Sequence, residues 1–408
     1  MLFSDLPEDY KLSFNRYLFL FKCIGIDFFD QSKSYFNRNT MKLCLFSMAF
    51  YPFILGQFTL ISNIRAENFL ESVRVVPVDL MFLQDSVKMA IAVFRKSDIR
   101  DMILEVGELW PKDLEVNDPK AAILKAWLRR IKIPLDLFFA FAVTNLSLFE
   151  VIPFLISIYN MHQGVDVYLF PFQPTNFWDI DSLFSYVVTY LWELAGTAPV
   201  QLCLYLPFDL TIVIMTSNVS ALFRLLQVDL KNAVSIRDEE HKMKKDINVS
   251  DPESYEEVKR IVVIHQRLLR IANQLSGIFG LVIFIHAVFA AFEICFFGFL
   301  TVVHGGVAET IANLLTVLNS VFTIFLLALS GQFLCDTSSE VADAAYESYW
   351  YESDVKVKKL ILSVIIRAQR PSYLSALGFS QLTLRSFSKI MSSAWTYFSL
   401  LIQVYEET

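Results

Sequence analysis

The stretch "FGLVIFIHAVFAAFEICFFGFL", residues 279–300, holds one acid, Glu293, one histidine, His286, and neither lysine nor arginine. An apolar run of about 20 residues is long enough for a helix to cross the hydrocarbon of a bilayer. The run is continuous rather than alternating with period two, so it predicts a membrane helix and not a barrel strand. Working outward, similar runs recur on both sides. The predicted spans cover 41–62, 71–94, 132–158, 183–216, 272–303, 309–334 and 385–405. Of the 408 residues, 55% are hydrophobic and only 12 are glycine, which is too apolar for an ordinary soluble domain.

The basic residues orient these spans. Residues 1–42 hold six lysines and arginines, 95–132 nine, 224–270 ten and 356–389 seven, whereas 133–223 and 271–355 hold none. Cytoplasmic connections carry the excess of Lys and Arg. The expected fold is therefore an all-α membrane protein of seven transmembrane helices, with a cytoplasmic amino terminus and an extracellular carboxyl terminus. That topology is the reverse of a G-protein-coupled receptor. Its divisions are a cytoplasmic amino-terminal segment (1–40), helices 1–6 (41–334), an intracellular helical anchor for subunit contacts (335–384), and a seventh helix with an extracellular tail (385–408). The first residues lack a basic stretch leading into an apolar core, so no cleaved signal peptide is expected.

Several classes of function are disfavoured. The five cysteines follow no zinc or disulfide spacing. No phosphate loop or nucleophile motif points to an enzyme or a cofactor. No basic stripe points to nucleic acid, and no paired half-length spans point to a transporter repeat. The sequons at Asn145, Asn218 and Asn248 fall in membrane or cytoplasm and are not expected to carry glycans. The connection 217–271 is charged, and in its second half Val258, Ile261, Ile264, Leu268 and Leu269 predict a helical extension of the fifth span.

Two segments resemble the carboxyl-terminal signature of the insect odorant receptor family: "FLCDTSSEVADAAYESYW" (333–350) and "RAQRPSYLSALGFSQLTLRSFSKIMSSAWTYFSLL" (367–401). The outer connection "YLFPFQPTNFWDIDS" (168–182) is similar in character. The resemblance implies a ligand-gated, non-selective cation channel in the plasma membrane of a sensory dendrite. It also implies a heterotetramer in which an odorant-tuning subunit joins a co-receptor subunit. The short insertion between spans four and five resembles the tuning subunit. Gustatory-type channels share a related ending, but "TYFSLLIQV" (396–404) has Val404 where that motif has Phe.

Steps of four and three along the seventh span place Lys389, Ser393, Thr396, Leu400 and Gln403 on one helical face. Such a polar stripe favours a water path over lipid. Leu400 is its one apolar member, and a ring of such side chains closes a pore by dewetting. Hydrogen bonding between neighbouring helices is the other use of these polar groups. The resemblance implies that positions matching Leu400 and Gln403 form the narrowest part of the pore. The outer halves of the other spans supply the ligand-binding candidates Val75, Val78, Phe82, Leu146, Phe149, Glu150, Tyr186, Tyr190, Phe289, Phe292 and Asn313. This aromatic, weakly polar set suits a small volatile odorant. Among the ionisable residues inside spans, Asp85 and Lys88 share a face and are expected to neutralise each other. Glu150, Glu193, Asp209 and Glu293 have no basic partner in their own spans.

Overall fold

A computed structural model describes residues 3–29, 57–65, 69–112, 118–165, 167–171, 180, 182–235, 252–303 and 306–407. Its helices are α1 (Glu8–Cys23), α2 (57–65), α3 (Phe69–Phe94), α4 (Lys96–Leu109), α5 (Pro119–His162) and α6 (Leu183–Val200). A π-turn at Gln201–Tyr205 leads into α7 (Leu206–Ser235). They are followed by α8 (Pro252–Val303), α9 (Val307–Glu347), α10 (Val355–Ala368) and α11 (Leu384–Glu407). The first predicted span lies mostly outside the described residues; its last part, 57–62, falls in α2. Five of the other six each fall on one helix, and the predicted span 183–216 runs over α6, the π-turn and the first part of α7.

Among the described residues, four helical segments are long and apolar enough to cross a membrane: Pro119–His162, Gln201–Ala233, Ser254–Val303 and Glu309–Glu347. Few residues in the apolar window of α5 are buried, and Leu137, Leu148, Val151 and Leu155 are exposed, whereas the window of α7 is almost wholly buried. Hydrocarbon facing outward on this scale is a lipid-contacting surface. The helix α7 is the central post, packed against α9, α8, α5 and α1.

The described parts of the basic-rich segments gather at one end of the bundle. There α8 extends well beyond its predicted span, and Val258, Ile261, Leu268 and Leu269 are buried as their spacing requires. Arg267 pairs with Glu108 at 2.6 Å, Arg270 with Glu105 at 2.5 Å, and Arg224 with Glu340 at 2.7 Å. The amino-terminal helix α1 docks here too. Tyr10 and Phe14 are fully buried, and the Tyr10 hydroxyl donates to the Ile103 carbonyl at 2.7 Å.

His265, near the Phe223 ring at this end, is 2% exposed. Burial, and then the charge of Arg367, push its pKa down to about 4. The unfolded chain titrates near ~6.5, so the fold favours the neutral imidazole. Its contribution is complete above ~pH 6.5 and is lost as pH falls towards about 4, a change on the order of 3 kcal/mol. Thermal unfolding of detergent-solubilised protein should therefore show a steeper acid loss than that of His265→Phe between pH 7 and 5. Identical profiles would remove His265 as the cause.

A short antiparallel hairpin, β1 (Ser375–Ala376) and β2 (Ser380–Gln381), joins α10 to α11. Its turn uses Leu377 and Gly378 at φ 53° and 81°. The hairpin is seated on α8 and α9. Ser276 Oγ donates to the Tyr373 carbonyl at 2.9 Å and accepts from the Ser375 amide at 3.1 Å. Two glycines permit this approach: a Cβ on Gly280 would stand 3.0 Å from the Ser375 carbonyl oxygen, and one on Gly331 only 2.2 Å from that of Leu382.

Candidate functional site

Two adjoining cavities open between α3, α5, α7, α8 and α9. The upper, of about 110 Å³, is lined by Arg74, Val75 and Val78 from α3, and by Phe149, Ile152, Pro153 and Ile156 from α5. Phe297 and Leu300 of α8 and Glu309, Ala312 and Asn313 of α9 complete its walls. The residues from α5 and α9 recur every three or four positions, as one face of a helix must. Arg74 and Glu309 approach to 3.5 Å on the wall. Leu169, Phe170 and Pro171 form the remaining side. That segment is held by the Leu169 amide donating to Ser157 Oγ (2.7 Å) and by the Tyr186 hydroxyl donating to the Leu169 carbonyl (2.9 Å).

The second cavity, of about 60 Å³, shares Val78, Phe149 and Phe297 with the first. It runs inward past Met81, Ala142, Asn145, Leu146, Leu202, Leu206, Thr316 and Asn319, with Gln201 and Tyr205 of the π-turn on its wall. A cavity with mostly apolar walls and a few fixed polar groups suits a small organic ligand.

Of the predicted candidates, Val75, Val78, Phe149 and Asn313 line the first cavity, and Val78, Leu146 and Phe149 the second. Tyr186 and Tyr190 stand behind the wall, packed with Phe154 and Phe170; the Tyr190 hydroxyl donates to the Glu150 carbonyl. Phe82 is buried. Phe289 is half-buried, and Phe292 stacks on Tyr397 of α11 with ring centroids 5.4 Å apart. The contributions of Phe297, Asn145 and Asn319 were missed. Asn145 lies four residues before Phe149, on the same helical face, so its signal was present, whereas Asn319, six residues after Asn313, is about 120° round the helix from it and spacing did not point to it.

Below these cavities lies a buried ionic cluster, and it corrects one expectation. Lys88 does not neutralise Asp85. Its ammonium reaches across to Asp209 on α7 at 2.7 Å and lies 3.7 Å from the centre of the Tyr205 ring. Asp85 instead accepts from Gln201 Nε2 at 3.0 Å. A lysine stem is long enough to choose a partner on a neighbouring helix over one a turn away on its own. His286 Nδ1 is 3.6 Å from Asp209, and Glu293 accepts from Ser320 Oγ at 3.0 Å.

On α11, Lys389, Ser393, Thr396, Leu400 and Gln403 all lie on the exposed face. Phe387, Ile390, Met391, Phe398, Leu401 and Ile402 pack against the bundle on the other side. Ser393 and Thr396 donate to carbonyls of their own helix, those of Lys389 and Ser392, each at 3.0 Å. Gln403 donates to Glu407 at 3.2 Å. Among the described residues the polar stripe is thus not used to bond another helix of the same chain. Leu400 is 59% exposed.

A helical bundle with an apolar exterior and a cavity between its helices defines a multi-pass membrane protein. The family model described as 7tm Odorant receptor matches residues 68–395, and the chain belongs to that family. Odorant receptor 85c of Drosophila melanogaster is 24% identical over 344 residues, 83% of this chain and 84% of that protein. Odorant receptor 67a of the same species is 20% identical and covers 99% of each chain. The structure of the insect olfactory receptor OR5 from Machilis hrabei in complex with eugenol superposes with a TM-score of 0.79. It is 14% identical and covers 97% of this chain and all of that one, a likeness of fold.

Proposed function

We propose that the chain is the odorant-sensing subunit of a ligand-gated, non-selective cation channel in the plasma membrane, assembled with a co-receptor subunit as a heterotetramer. The observation that carries this reading is the face of α11. Lys389, Ser393, Thr396, Leu400 and Gln403 share an exposed face, four of the five being polar, on a helix whose opposite face is packed. In lipid such a stripe is costly. Around an axis shared by four subunits it lines a water path, with Leu400 as the apolar constriction and Gln403 one turn outward. The amino terminus and the anchor (335–384) are cytoplasmic in this reading, and the end of α11 is extracellular. The gathering of the basic segments at one end of the bundle supports that orientation.

The volatile sits in the paired cavities among Val75, Val78, Leu146, Phe149 and Asn313. The similar fold of a receptor whose structure holds eugenol supports a small organic ligand there. Phe292, Tyr186 and Tyr190 act at one remove in this arrangement, by packing.

The test is current recorded from cells co-expressing the chain with an odorant co-receptor, against a panel of volatiles. Leu400→Ala should raise the ligand-free current several-fold, because a ring of smaller side chains admits water. Substitutions of Gln403 should change relative ion permeability or block. Unaltered currents in both, at normal surface expression, would sink the pore assignment.

A further inference from the structure

The inner cavity has a chemistry the outer one lacks. Its walls are mainly hydrocarbon, from Val78, Met81, Leu146, Phe149 and Phe297, but two carboxamides enter it from different helices. Asn145 on α5 is 8% exposed and Asn319 on α9 is 6% exposed, and the Oδ1 of each accepts no hydrogen bond among the described residues. Buried amide oxygens are ordinarily satisfied, so two on one small cavity are an unmet demand. The Tyr205 hydroxyl on the same wall is a third buried polar group without a hydrogen-bond partner among the described residues, whereas two nearby donors are committed. The Thr316 hydroxyl donates to the Ala312 carbonyl at 2.9 Å, and Gln201 Nε2 donates to Asp85.

An amide turned end for end would offer its Nδ2 where Oδ1 now stands. The guest that satisfies such a pair in either orientation must therefore both donate and accept. A hydroxyl does so with one atom. An ether or ester only accepts, and an alkane does neither. A charged amine is disfavoured because no carboxylate lines this cavity.

We propose that the inner cavity reads a hydroxyl group, and that the chain is tuned to small neutral alcohols. The O–H donates to Oδ1 of one carboxamide and its oxygen accepts from Nδ2 of the other. The hydrocarbon portion extends past Val78, Phe149 and Phe297 into the outer cavity. This inference rests on the odorant reading above, with which it shares the site.

The test uses the full chain with a co-receptor, and a series of primary alcohols, methyl ethers and alkanes matched in heavy-atom number. The half-maximal concentration for an alcohol should lie at least about tenfold below that of its matched ether. Asn145→Leu and Asn319→Leu should each shrink that gap while keeping the ether response. In the absence of volatile, the purified variants should unfold at a higher temperature than the parent, because an unsatisfied acceptor has been removed. A purely structural role for the amides predicts a lower one. Equal responses to alcohols and ethers, or an alcohol preference that survives both substitutions, would overturn the inference and leave water as the amides' partner, with the odorant reading intact. If no volatile of any class evokes current or shifts the unfolding of the purified chain, the odorant reading falls and this inference with it.

Discussion

Lys88→Met should abolish most folded, surface-expressed protein, with a loss on the order of 3–5 kcal/mol. Lys88 is fully buried, 2.7 Å from Asp209, and no solvent reaches either side chain to take over the charge. Methionine fills the space of the lysine stem but removes the only lysine or arginine bonded to the carboxylate among the described residues. It leaves that group beside Asp85 and Glu293, two further buried acids. The expense is thus mainly that of an unpaired buried anion rather than of a missing attraction. The paired replacement Lys88→Met with Asp209→Leu should recover much of the loss, since both charges go together. Surface labelling and size-exclusion of the solubilised protein measure both. A single variant as stable as its parent, or a double variant no better than the single, would contradict the account.

Gly331→Ala should be the most damaging single-methyl change in α9. The new Cβ would meet the Leu382 carbonyl oxygen at 2.2 Å, and that atom belongs to backbone, which cannot rotate aside. Either α9 bends away or the segment after the hairpin is pushed out, at a cost of about 1–3 kcal/mol or more. The functional consequence should exceed the stability one. Leu382 lies two residues before α11 begins, so its displacement shifts the helix that carries Leu400. The expected result is a receptor that reaches the surface in reduced amount and gives a smaller evoked current per surface copy. Gly277, whose Cβ would meet nothing within 4 Å, is the matched control and should tolerate alanine. Equal effects at the two positions would show that the close approach at Gly331 does not matter.

Much of this was legible in the chain itself. Residues 279–300 announce a membrane helix because twenty-two mostly apolar residues without lysine or arginine are most stable in hydrocarbon, and α8 contains them whole. The polar stripe on α11 followed from spacing alone, since a helix fixes which residues share a face before any partner is known. The amphipathic α1 was less visible. Its buried Tyr10, Phe14, Tyr17 and Phe21 do repeat at helical spacing, but a short helix among charges competes poorly for attention with long apolar runs. The hairpin at 375–381 has no signature in the sequence, because two-residue strands carry no usable periodicity.

The cavity divides along the same line. Val75, Val78, Phe149 and Asn313 could be named in advance, because their place in the outer halves depended only on span order and orientation. Phe297 replaced the expected Phe289 and Phe292 because the rotation of α8 about its axis is set by packing against α3 and α11, which no local pattern encodes. Lys88 is the plainest case. Sequence spacing offered Asp85, three residues away, yet the buried charge took Asp209, 121 residues along the chain. The sequence by itself determined which segments leave water and which face of each helix is polar, because transfer from water is a property of local composition. Only the tertiary structure decided which buried groups meet, because in a low-dielectric interior pairing depends on distances between helices, and those are set by the packing of the whole bundle.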